Sequence, residues 1–218
     1  MHTLFNPENK FWSFIGKIAD VCFMGVLWAI TSLPVFTLGA ATAAFYSFTL
    51  DQVKDLEGGV WNSYFSAFKR TFKKATCLWL LQLAAGLFLA ANLYAAWQFY
   101  VSSGILGLGL LSLAFCGALV FTLISLYVYP SLASYDFSVK KVIRDSFVMA
   151  VGNLHVSITI LVLFALACVG IYYISGLFFF WIGLAIFFSS YFIWGLYLKY
   201  AGVKVEKKKK RKPVDPYL

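Results

Sequence analysis

The chain has 218 residues, of which 61% are hydrophobic, 20% aromatic and only 12% charged, and its net charge is +9. A soluble domain carries about 25% charged residues, and here the few charges are segregated: residues 21–50, 75–135 and 146–198 contain no Asp, Glu, Lys or Arg. An uncharged apolar run beyond about 18 residues is long enough to span a bilayer, so the composition excludes a water-soluble enzyme, a disulfide scaffold and a disordered chain, and predicts an integral membrane protein.

Lipid offers no partner for backbone N–H and C=O groups, so spanning segments are helices or closed barrels. Barrel strands would be about 10 residues long and alternate in polarity, whereas these runs are solidly apolar. The expected fold is therefore all-α, a polytopic helical bundle in one membrane domain over residues 1–203. A first crossing is placed at 18–38. The run 75–135 is about twice what one helix needs and breaks at Val101-Ser102-Ser103-Gly104, giving a hairpin of crossings 76–100 and 105–129. The run 146–198 breaks at Ser175-Gly176, giving crossings 154–175 and 178–198. Trp79, Trp97, Tyr100, Tyr127, Tyr129, Tyr172, Tyr173, Trp181, Trp194 and Tyr197 cluster at the ends of these crossings, as headgroup-level anchors do.

Orientation follows from Lys and Arg. With five crossings and the N-terminus outside, only Lys10 and Lys17 face the exterior, the turns of both hairpins are extracytoplasmic, and the C-terminus is cytoplasmic. Pro34 and Gly39 bracket a break in the first run. A chain that turned back there would hold every basic residue inside. Reach opposes this, since residues 40–50 extend only about 17 Å against a hydrocarbon core of about 30 Å. Five crossings are preferred, and a re-entrant element at 34–50 is the alternative. Ala41-Thr42-Ala43 resembles a signal-peptide cleavage site, but the apolar stretch before it is too long and starts too late.

Two segments between crossings are amphipathic at helical spacing. In the first, Trp61, Tyr64, Phe65, Phe68 and Phe72 share one face, and Lys69, Arg70, Lys73 and Lys74 the other. In the second, Val139, Val142, Ile143, Phe147 and Ala150 oppose Lys140, Lys141 and Arg144. Such helices are expected to lie in the cytoplasmic interface, apolar side down and basic side toward anionic headgroups. Trp61, Phe65, Phe68, Lys69, Arg70, Phe72, Lys73, Lys140, Lys141 and Arg144 are thus the candidate lipid- or partner-docking residues. An offset of 75 residues superposes the segments (Phe68 on Ile143, Lys69 on Arg144, Phe72 on Phe147), a weak internal repeat. The tail 204–218, with six consecutive basic residues at 207–212, is read as a disordered cytoplasmic anchor; no folded module surrounds it, so nucleic acid is not an expected partner.

The chemistry of catalysis is sparse. Cys22, Cys77, Cys116 and Cys168 lack metal-ligand spacing, His2 and His155 are the only histidines, and Gly104, Gly107 and Gly109 have no preceding strand or basic partner. No catalytic residue, cofactor or metal is assigned. Asp20 with Lys17 reads as an interfacial pair. Gln82, Asn92 and Gln98 in the second crossing are polar enough to line a cavity or to bond a neighbouring helix, and Pro34, Gly39, Gln82 and Asn92 are the candidate helix-break or cavity-lining residues.

Three stretches carry a resemblance: Leu4-Phe-Asn-Pro-Glu-Asn-Lys-Phe-Trp12 leading to Ile15-Gly-Lys-Ile-Ala-Asp20, then Ser32-Leu-Pro-Val-Phe-Thr-Leu-Gly39, then Phe65-Ser-Ala-Phe-Lys-Arg-Thr-Phe-Lys-Lys-Ala-Thr76. They resemble the YesL family of bacterial membrane proteins of unknown function. The resemblance implies a membrane protein of about five helices, with members often encoded beside carbohydrate importers of the ATP-binding-cassette (ABC) type; it brings no catalytic residues. The expected function is a non-enzymatic accessory to such an importer, with anionic lipid and the importer's permease subunits as partners. A small-solute transporter or channel is the alternative, and a membrane enzyme comes third.

Overall fold

The computed structural model describes residues 10–56, 59–134 and 138–201. The tail 204–218 lies outside them. Seven helices account for the described chain: α1 (Lys10–Thr31), α2 (Leu38–Val53), α3 (Val60–Ser103), α4 (Ile105–Ser134), α5 (Val139–Gly152), α6 (Leu154–Tyr173) and α7 (Phe178–Ala201). Four segments, Val60–Ser103, Ile105–Ser134, Leu154–Tyr173 and Ser175–Lys199, are long and apolar enough to cross a membrane.

The expected helical hairpins form. Between α3 and α4 the turn is Gly104, whose φ of +57° suits a residue without Cβ. A Cβ at Gly107 would stand 2.2 Å from Tyr100 Cα, so the two helices leave the turn in backbone contact. Between α6 and α7 a 3₁₀ turn spans Ser175–Leu177, and Gly170 accepts the Trp181 ring.

The N-terminal crossing at 18–38 does not form as expected. Helix α1 stops at Thr31, and Pro34 takes an extended conformation (φ −75°, ψ 115°) before a 3₁₀ turn at Val35–Thr37 leads into α2. Proline disfavours helix in the residue before it. The carbonyls left open at the break are met by Thr37, whose Oγ1 lies 2.6 Å from both Thr31 O and Pro34 O. Helix α2 then returns antiparallel to α1. Trp28 Nε1 donates to Thr42 Oγ1 at 3.1 Å, and Lys17 Nζ reaches Gln52 O at 3.1 Å and Asp55 Oδ1 at 2.7 Å.

The objection from reach fails for two reasons. Helix α2 has 16 residues, about 24 Å, and the 3₁₀ turn adds about 6 Å. More decisively, α2 meets protein and not lipid. Packed among α1, α3, α4 and α7, it is buried almost throughout residues 39–50. Small residues permit this: a Cβ at Gly39 would stand 2.7 Å from both Ala75 O and Trp79 Cβ, and Ala40, Ala41, Ala43 and Ala44 are fully buried. Two hydroxyl pairs tie α2 to α7, Thr49 to Ser190 at 2.8 Å and Tyr46 to Ser189 at 3.2 Å.

The interfacial helices also differ from expectation. The first is not a separate element: residues 61–74 are the opening turns of α3, one continuous helix of 44 residues, about 66 Å long. The second, α5, is separate, ending where buried Asn153 leaves helical geometry (φ −137°, ψ 58°). At the 75-residue offset, Gly152-Asn153 corresponds to Cys77-Leu78, which contains no helix breaker. The repeat therefore bends in its second copy only.

Candidate functional site

The charged ends of the helices gather at one end of the bundle. Lys17, on the first half of α1, contacts Gln52 and Asp55 at the end of α2; Lys54 Nζ lies 4.9 Å from the Trp194 ring of α7; and Lys199 Nζ donates to Asn153 Oδ1 at the start of α6. Near the end of α4, Tyr197 donates to Ser131. The described N-terminal stretch of α1 and the C-terminal end of α7 thus lie at the same end. This corrects the five-crossing topology, which placed them on opposite sides. The pair read at Asp20 is also revised: Lys17 binds Asp55, and Asp20 accepts from Gln52 Nε2 at 3.3 Å.

Helices α3 and α5 both pack on α4 at this end. Val142 of α5 is buried against Leu132 and Val128 of α4 with Ala75 and Leu78 of α3, and Phe68, Phe72, Val139 and Ile143 pack onto that cluster. The two apolar stripes read as lipid-facing are therefore partly spent on one cluster built around α4. What remains outward is basic: Lys69, Arg70, Lys73, Lys140, Lys141 and Arg144 are exposed. Arg70 Nη2 also reaches Ala133 O at 3.4 Å, which ties the α3 platform to the end of α4. The aromatic candidates form a ladder up α3, with ring centroids 4.9 Å apart for Trp61 and Phe65 and 5.5 Å for Phe68 and Phe72. Trp61 is exposed and the three phenylalanines are half-buried. Shallow depressions beside Lys69 are lined by Trp61 with Phe65 and by Phe68 with Phe72.

The second group of candidates does not converge. Pro34 is exposed at the α1–α2 turn, Gly39 is a packing contact, Gln82 accepts the Tyr129 hydroxyl at 2.5 Å, and Asn92 is exposed and bonds Phe88 O of its own helix. They line no shared path. Among the expected headgroup anchors, Tyr172 and Tyr173 are exposed, but Tyr127 and Tyr197 are fully buried, with Tyr127 bonded to Ser157. Sequence reasoning missed the hydroxyls of Tyr46 and Thr49, whose partners lie more than 140 positions away, and the polar pair Thr76 and Trp79. The only signal for that pair was their place on the α3 aromatic face, i+4 and i+7 from Phe72.

Residues 21–93 match the model of a family described as proteins of unknown function, DUF624. Over 151 residues the chain is 27% identical to the uncharacterized protein YesL of Bacillus subtilis (strain 168), covering 69% of each chain. Over these stretches the chain is similar to the YesL proteins. No solved structure matches it. The family match covers α1 from Val21, the α1–α2 turn, all of α2 and α3 as far as Leu93, so it takes in the buried helix and the aromatic–basic part of α3, and leaves out the end of α3 and α4 to α7.

Proposed function

We propose that the chain is a non-enzymatic accessory protein of the bacterial cell membrane, working through its basic end at the cytoplasmic leaflet and associated with a carbohydrate importer of the ABC type. The observation that carries this reading is the end of the bundle where α3 and α5 both pack on α4, and where exposed Lys and Arg side chains flank half-buried aromatic rings beside the gathered ends of the described helices. Each basic residue near an anionic leaflet contributes about 1 kcal/mol of attraction, and the rings suit the headgroup level. The importer association is supported by the family resemblance alone. The antiparallel α1–α2 pair supports a topology with both termini cytoplasmic, which leaves none of the 18 Lys and Arg residues on the far side.

Affinity purification of the tagged chain from native membranes in a mild detergent tests the association. Recovery of importer permease subunits is expected, and their repeated absence overturns that half of the reading. A cysteine-free chain carrying a single Cys at Asn62 or at Ser103 tests the topology in intact cells. Position 103 is expected to react with a membrane-impermeant thiol reagent and position 62 to stay protected; the reverse pattern overturns the orientation.

A further inference from the structure

The continuity of α3 has a chemical result. Trp61, Phe65, Phe68, Phe72, Thr76 and Trp79 follow at intervals of three or four residues on one unbroken helix, so they share a face. Along it the character changes in order. First come aromatic rings beside Lys69 and Lys73, then two buried polar atoms without a partner, Thr76 Oγ1 and Trp79 Nε1. Last comes an apolar groove between α3 and α4, whose walls include Leu83, Gly86, Leu87 and Phe121.

Of the seven buried side-chain atoms without a partner among the described residues, these two are neighbours on one face of one helix. Thr42, Thr71, Thr122 and Thr159 each donate to the carbonyl four residues earlier, and Trp28 donates to Thr42. Thr76 does neither, and Trp79 has no acceptor. Beside them Gln82 uses its oxygen for Tyr129, and its amide N–H₂ has no acceptor among the described residues. Leaving a buried donor unpaired costs about 1–3 kcal/mol, so the two buried donors on one helix face, with the Gln82 amide beside them, describe the complement of a missing acceptor.

The geometry points to a site for one anionic phospholipid on the α3–α4 face. Its phosphate sits by Lys69 and Lys73, its ester carbonyls accept from Thr76, Trp79 and Gln82, and one acyl chain lies in the groove. The spacing suits the order of these groups: Lys73 to Trp79 is about 9 Å along the helix, and Trp79 to Leu87 a further 12 Å or so. A phosphate source without acyl chains would leave the groove unfilled, so the occupant is a lipid. The inference deepens the reading of the basic end as a lipid-facing surface, adding a bound molecule of fixed stoichiometry.

Native mass spectrometry of the full-length chain in detergent, titrated with phosphatidylglycerol or phosphatidylcholine, tests it. One retained phosphatidylglycerol is expected, in preference to phosphatidylcholine and undisturbed by inorganic phosphate. The double variant Thr76→Val, Gln82→Leu is expected to weaken retention by about five- to tenfold, as the loss of two membrane hydrogen bonds gives. Lys69→Gln with Lys73→Gln is expected to erase the preference between the lipids. Thermal stability supplies a second readout: without lipid, Thr76→Val is neutral or stabilising, because a lone hydroxyl is removed, and with phosphatidylglycerol it is destabilising. A graded ladder of adducts without headgroup preference, or unchanged retention by the Thr76/Gln82 variant, overturns the site. Co-purification of importer subunits is independent of either result, so failure of the lipid site and failure of the importer association are distinguishable.

Discussion

Helix α2 and the far half of the α3–α4 hairpin are alike in composition and opposite in surroundings. Both are uncharged over their apolar stretch, yet α2 has protein on every side, whereas residues 80–103 of α3 leave Leu80, Leu87, Phe88 and Tyr94 half to two-thirds exposed. Hydropathy alone cannot separate these cases, since lipid and protein interior are similarly apolar. The placement of small residues separates them: Gly39 of α2 stands where a Cβ would meet Ala75 backbone, whereas on the bare arm Ala84, Ala90 and Ala91 are as exposed as the large side chains around them.

Changes in side-chain volume at matched places should break or sharpen that contrast. The largest effect is expected at Gly39→Leu. Its side chain would have to displace Ala75 backbone and Trp79, at a cost above about 3 kcal/mol, and size-exclusion profiles in detergent should show little folded protein. Ser190→Ala comes next: it removes the Thr49 partner between α2 and α7 and should lower stability by about 0.6–1.5 kcal/mol, read as a drop in Tm. Lys17→Gln removes a contact whose Asp55 side chain is 82% exposed, so a loss below about 1 kcal/mol is expected, shrinking further in high salt. The smallest effect belongs to Ala91→Leu on the bare arm, within about 0.5 kcal/mol. An Ala91→Leu chain as damaged as Gly39→Leu would show that the arm is covered in the membrane, and the contrast would fall.

Much of this architecture was legible because it depends on local chemistry. The hairpin turns lie at Gly104 and Ser175-Gly176, where the apolar runs are punctuated. The aromatic–basic segment is helical with its stripe where the periodicity put it. Three things were not legible, each for a physical reason. The return of α2 required knowing that four other helices would enclose it, which no window of residues contains. The fusion of the platform to the crossing followed from Cys77-Leu78 lacking a breaker, a negative feature overshadowed by the expectation of an interfacial helix. Among the polar candidates, Gln82 found its partner on α4, but Asn92 folded back on its own carbonyl, a choice set by the phase of α3 against α4.

The enclosure of α2 bears on how the protein is made. Its hydroxyl partners Ser189 and Ser190 emerge from the ribosome about 140 residues after Tyr46 and Thr49, roughly seven to thirty seconds later at ordinary rates of synthesis. During that interval the antiparallel pair waits with one wall missing. A nascent chain arrested before residue 178 would expose α2 along the side that α7 later covers, and membrane quality-control proteases should clear such a fragment faster than the finished protein.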